Sequence, residues 1–276
     1  MKLGKFEIHA VLDGFFGLDG GAMFGRVPRE VWKKTNPPDR KNRISLALRC
    51  LLVKIENHNI LVDTGLGDKH DRKFIQRFAV KRGIGLVGRL RGLGISPEDI
   101  DIVINTHAHF DHCGGNTKKE NGIIVPVFPK AEYLFQREEL AEPFFWNNPL
   151  TRTSYIKEDF LLGQDFIQED KAEIWPGITL KRTGGHTLGH QIIEIESEGK
   201  KTIYLGDLVP TVTHLKYPFI MAYDVEPLET LKRKMEILPK AAEEKTLLIF
   251  EHEPNFDAAF VKNEDGKISV LEKVKL

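Results

Sequence analysis

The chain has 276 residues, 41% hydrophobic and 29% charged, which is enough apolar material for a sizeable core. Lys+Arg and Asp+Glu both number 40, so the basic excess expected of a nucleic-acid binder is missing. Two cysteines are too few for a disulfide framework, the start lacks a signal-like apolar segment, and no apolar run reaches the ~18 residues of a membrane span. The expectation is a cytoplasmic protein with a single domain over 1–276, free of nucleic-acid and membrane partners.

"FEIHAVLDG" alternates apolar and polar residues and predicts a strand. "FGLDGGAMFGRVPREVWKKTNPPDRKNR" is rich in glycine, proline and charge. It reads as a loop with one short helical turn, and a loop that long is more often functional than filler. "SLALRCLLVKIENHNILVDTG" predicts two strands across a turn at Asn57-His58-Asn59. "DRKFIQRFAVKRGIGLVGRLRGLG" is helix-prone but broken by glycines. Ser96 suits a helix cap, Pro97 the first helical position, and Glu98 and Asp99 the positive helix end. A short strand over 100–105 follows.

Later segments repeat one pattern. "GIIVPVFPKAEYLFQ" predicts two short strands. "GITLKRTGGHTLGH", "KTIYLGDL" and "KTLLIFEHEP" each predict a strand, ending near His186, Asp207 and His252. Between the last two, Leu228, Leu231, Met235 and Leu238 fall at helical spacing, so a helix over 226–238 is expected. Together with 100–105, four strands end in a potential metal ligand, where α/β folds commonly hold their functional groups.

"NTHAHFDHCGG" (105–115) carries the strongest signal. In extended chain, residues two apart point the same way, so His107 and His109 can aim at one point. Asp111 and His112 follow where the chain turns, and can serve a neighbouring point. Gly114 and Gly115 permit a sharp turn and close backbone approach. Imidazole and carboxylate suit zinc, and also iron, manganese or cobalt; the absence of cysteine from the motif points to catalysis rather than a structural zinc. With His186, Asp207 and His252 the candidate donors number seven, five histidines and two aspartates. That set fits two divalent ions, zinc first, sharing one carboxylate and leaving room for water and substrate. Asp111 and Asp207 are the candidate catalytic carboxylates.

"THAHFDH", "GGHTLGH", "LGD", "EHE" and an upstream "LVDTG" stand in an order that resembles the metallo-β-lactamase superfamily, over about residues 2–255. The resemblance implies an αββα sandwich with the metals in a shallow cleft along one sheet edge. It implies His107, His109 and His186 at one metal, Asp111, His112 and His252 at the other, and Asp207 between them. Asp63 and His190 would support the ligand loops. "DGGAMFGRVP", "FPKAEYLFQREEL", "GDLVPT" and "MAYDVEP" are similar to the quorum-quenching lactonase branch, and also to organophosphate hydrolases of this fold. The implied reaction is the opening of an N-acyl-homoserine lactone or similar ester by a hydroxide held between the metals. A phosphotriesterase and a glyoxalase II-like thioesterase are the alternatives. The lactonase pattern has a tyrosine three residues after the bridging aspartate; here that residue is Pro210, and Tyr223 is the candidate replacement. Met23, Phe24, Phe144, Phe145 and Trp146 are candidates for an apolar substrate wall, although core packing is the commoner fate of aromatics. The expected partner is a small ester or lactone, and a homodimer is compatible with the sequence.

Overall fold

The alternation read in "FEIHAVLDG" becomes a strand that runs well beyond it, Phe6–Asp19. Its pairing with Arg43–Ile55 skips a residue between Leu12 and Gly14. The bulged Asp13 turns its buried carboxylate to the Leu66 and Leu86 amides, at 3.1 and 2.8 Å, and to the Arg82 guanidinium at 2.8 Å. The expected long loop is therefore shorter, and it contains two short helices, Gly20–Phe24 and Arg29–Trp32. The hairpin turn also differs from expectation. His58 begins the strand His58–Val62, and Glu56 takes up a φ of 52° in the turn before it.

The computed structural model describes residues 1–140, 148–160, 165–167 and 170–276. Among these, two seven-stranded sheets pack face to face. The first is ordered Lys2–Leu3, Phe6–Asp19, Arg43–Ile55, His58–Val62, Ile102–Ile104, Glu132–Gln136, Asp165–Ile167, with the last four strands parallel. The second is ordered Lys171–Trp175, Ile178–Arg182, Gln191–Ser197, Lys200–Tyr204, Leu247–Ile249, Ala258–Glu264, Lys267–Val274. Lys200–Tyr204 and Leu247–Ile249 are its parallel pair, joined by the helix Pro227–Glu243.

The central core lies between the sheets, where Leu51, Val53 and Ile104 meet Leu180, Ile193, Tyr204 and Ile249. Leu86 and Leu90 of the helix Gly85–Gly92 cover the outer face of the first sheet. Ile237, Leu238 and Ala241 of the helix Pro227–Glu243 cover that of the second. The order of layers is helix, sheet, sheet, helix. No helix among the described residues is long and apolar enough to cross a membrane.

That last helix departs from the sequence reading in two ways. It is longer than 226–238, continuing through Pro239 to Glu243. Its buried side is Thr230, Lys234, Ile237, Leu238 and Ala241, while Leu228 and Met235 stay exposed. The leucine spacing thus found the helix but not its face. Lys234 reaches inward instead, and its Nζ donates to the carbonyls of Lys216 and Phe219, both at 2.9 Å.

Candidate metal centre and active site

Four strand ends deliver the donors. His107 to His112 follow Ile102–Ile104, His186 follows Ile178–Arg182, Asp207 follows Lys200–Tyr204, and His252 follows Leu247–Ile249. Glycines make the loop contacts possible. A Cβ on Gly115 would stand 2.2 Å from the Thr64 carbonyl oxygen, so the turn after "FDHC" seats on the 64–67 backbone only without side chains. The glycine pair thus serves the loop's footing.

All seven donors are buried. Donor atoms of His107, His109, His186 and Asp207 form one group, and those of Asp111, His112 and His252 another, each within 4.8 Å. His186 Nε2 lies 3.0 Å from His109 Nδ1. His252 Nε2 lies 3.3 Å from His112 Nε2 and 3.7 Å from Asp111 Oδ2. Asp207 faces both groups, with Oδ2 3.2 Å from His186 Nε2 and Oδ1 3.2 Å from His252 Nε2.

The far nitrogens are held from behind, which fixes which nitrogen faces inward. Thr106 Oγ1 meets His107 Nδ1 at 3.1 Å, Asp224 meets His186 Nδ1 at 2.8 Å, and the Ala47 carbonyl meets His252 Nδ1 at 2.7 Å. Two carboxylates, Glu251 at 2.9 Å and Asp63 at 3.2 Å, converge on His112 Nδ1. Asp63 also accepts the Thr106 N–H and O–H, both at 2.8 Å, which pins the start of the histidine loop. His190 stays outside the donor groups. Its Nδ1 meets Thr183 Oγ1 at 2.6 Å and its Nε2 accepts the Asp207 N–H at 3.0 Å, so it orients the shared carboxylate. Pro210 supplies a carbonyl that accepts the His252 N–H at 3.0 Å.

The electrostatics suit cations. Burial, then neighbouring imidazoles, hold His107 and His109 well below the usual histidine range, so both present neutral lone pairs. Among the described residues, His107 Nε2 is buried with no hydrogen-bond partner, and so is Asp207 Oδ1. Burial opposes charge on His112, His186 and His252, yet the surrounding carboxylates outweigh it and raise all three. Three imidazoles held toward protonation, beside two orphaned donors, mark a place that lacks positive charge. Divalent cations meet that need, and the donor set fits them.

A cavity of about 380 Å³ opens over the donors. Leu18, Met23, Phe74, Phe78, Phe110 and Tyr223 form its apolar wall, and Arg77 stands beside them. Met23 is therefore in the wall. Phe24 is not: it is fully buried, stacked on Trp32 at 5.3 Å and on His214 at 4.9 Å. Tyr223 lines the wall, and its hydroxyl takes no hydrogen bond from the described residues. Phe144, Phe145 and Trp146 lie outside the described residues. Cys113 is buried, with its thiol directed to the His109 carbonyl at 3.3 Å.

Sequence reasoning did not find Phe74, Phe78, Phe110, Glu139, Asp224 or Glu251. Only Glu251 carried a local signal, as the neighbour of His252. The phenylalanines come from a glycine-broken segment and from inside the histidine motif, and only the fold brings them together.

Comparison with known proteins points to one superfamily. The model of the metallo-beta-lactamase superfamily matches residues 49–251. An N-acyl homoserine lactonase from Bacillus cereus is 32% identical over 228 residues, 77% of this chain and 83% of that protein. The crystal structure of a probable metal-dependent hydrolase from Staphylococcus aureus is 31% identical, with a TM-score of 0.90 over 100% of this chain and 99% of that one. An N-acyl homoserine lactone hydrolase, solved with N-hexanoyl-L-homoserine at its catalytic metal centre, is 25% identical with a TM-score of 0.68, covering 92% and 95% of the two chains. With its layered sheets and its histidines and aspartates gathered at strand ends, the chain belongs to the metallo-beta-lactamase superfamily as a metal-dependent hydrolase.

Proposed function

We propose that the protein is a dinuclear hydrolase that opens lactone rings of the N-acyl-homoserine type. The observation that carries this reading is the pairing of two donor groups, spanned by Asp207, with an apolar cavity directly above them. His107, His109 and His186 would hold one ion and Asp111, His112 and His252 the other, with Asp207 between. Zinc is the first choice; iron, manganese and cobalt accept the same donors. Once bound, such ions acidify a water molecule and polarise an ester carbonyl.

The chain's own residues do the rest. Met23, Leu18 and the three phenylalanines receive an acyl chain and exclude water from it. Tyr223, at the wall with its hydroxyl unbonded among the described residues, donates to the substrate carbonyl in the role Pro210 cannot fill. Asp207, anchored by His190 and held as a carboxylate, takes the proton released by the attacking water and passes it to the departing ring oxygen as the C–O bond breaks. The similarity to the Bacillus cereus lactonase, and to a hydrolase holding an opened homoserine product, supports the lactone over other esters.

The test is pH-stat titration of acid release from homoserine lactones of several acyl lengths, beside a thioester and a phosphotriester. One acid equivalent per lactone is expected, lost on chelation and restored by metal. A metal-replete protein inert on every lactone but active on another ester would refute the assignment.

A further inference from the structure

A fully buried carboxylate outside the seven donors joins two of the donor loops. Glu139 lies in the short helix Arg137–Leu140, which follows the strand Glu132–Gln136 of the first sheet, and is only 3% exposed. Its Oε1 accepts the Ala108 N–H at 2.9 Å and the Tyr155 hydroxyl at 3.2 Å. Its Oε2 accepts the Thr187 hydroxyl at 2.5 Å. Ala108 sits between His107 and His109, and Thr187 directly follows His186. A carboxylate taken out of water is tolerated only where its oxygens are bonded, and here the donors come from both loops.

We propose that Glu139 is a positioning residue that sets the angle at which His107, His109 and His186 converge on one metal ion. This rests on the metal-hydrolase reading above. Ala108 carries the peptide between two of the imidazoles, so holding its N–H fixes the plane from which both rings project. The three rings stand 4.4, 4.7 and 4.8 Å apart between centroids. Tyr155 takes part twice, since its hydroxyl binds Glu139 while its ring packs edge-on to His109 at 5.0 Å.

An independent observation comes from the backbone. A Cβ on Gly189 would fall 2.4 Å from the Glu139 nitrogen and 2.5 Å from its Cβ. The last glycine of "GGHTLGH" is thus where the His186 loop presses against the Glu139 backbone, and no larger residue fits. The other donor group makes no contact with Glu139; His112 and His252 are held by Asp63, Glu251 and the Ala47 carbonyl. Any effect of Glu139 falls on one ion of the pair.

The test compares metal occupancy of the wild type, Glu139→Gln and Thr187→Val during graded chelator titration with zinc, read by elemental analysis. Glutamine keeps the size but loses the charge and one acceptor oxygen, so the Thr187 hydroxyl or the Ala108 N–H gives up a charge-assisted bond. Glu139→Gln is expected to weaken one ion by about ten- to a hundredfold and leave the other unchanged, with turnover recovering at saturating zinc. Thr187→Val, which removes only the Oε2 link, should shift the same ion by a smaller factor, and it decides the matter should Glu139→Gln fail to fold. Wild-type affinity for both ions in the variants overturns the proposal, as does equal loss of both. A wild type that takes up no zinc overturns the hydrolase reading and this one with it.

Discussion

Lys234 lies on the buried side of the helix Pro227–Glu243 and is completely inaccessible. Burial brings its amine down from 10.5 to about 7, with Asp224 acting weakly in the other direction. The unfolded chain keeps this lysine protonated up to its ordinary value. Between pH 7 and 10.5 the unfolded state therefore binds more protons than the folded one, so this group makes stability rise with pH in that window. Each pH unit is worth about 1.4 kcal/mol until the folded-state amine begins to take up its proton near pH 7, so lowering the pH from 9 to 7 costs the folded state about 2 kcal/mol through Lys234, with little further change below 7. Lys234→Met lacks this dependence. It also takes the donor from the Phe219 carbonyl, at about 1–3 kcal/mol, while the Lys216 carbonyl keeps the Phe219 N–H at 3.0 Å, but that loss does not titrate. Urea unfolding of both proteins at pH 6, 7, 8 and 9 gives a double difference in which the other titrating groups cancel. The deficit of the variant should shrink by roughly 2–3 kcal/mol from pH 9 to pH 6. A constant deficit across that range would show that the amine stays charged in the folded protein and would refute the reasoning.

Asp207→Asn keeps the volume and the His190 contact but loses the charge facing both donor groups. It should lower kcat/KM by about a hundredfold or more while shifting the melting temperature by only a few degrees. Equal activity would remove Asp207 from the mechanism. Met23→Ala trims the cavity wall, and burying a methionine is worth about 1.5–3 kcal/mol. The ratio of kcat/KM for a long-chain over a short-chain homoserine lactone should fall about tenfold or more, and an unchanged ratio would place the acyl chain elsewhere.

The histidine and aspartate groups that the fold brings together were legible in the sequence because residues of these types sit in dense, strand-terminal motifs. His107, His109, Asp111 and His112 share one loop, and each remaining donor closes a short apolar run. What supports them was not legible. Asp224 reaches His186, and Glu139 reaches the loops that carry the histidines, from segments far away in the chain, and ordinary loop or helix composition gives no hint of it. In the fold, strand existence was readable from alternation, but extent was not. Phe6–Asp19 continues past its glycines because Asp13 is absorbed as a bulge whose carboxylate finds three donors. The helix Pro227–Glu243 misled for a related reason. Its leucines follow the right period, but a lysine with two carbonyl acceptors was the better occupant of the interior.

The donors stand on both sheets: His107 to His112 on the first, His186, Asp207 and His252 on the second. Neither half of the chain owns a complete set. A nascent or damaged molecule in which the halves have not yet docked is therefore catalytically silent. Turnover then reads out how many molecules have finished folding, and a cation bound across the seam would lend its affinity to keeping it shut.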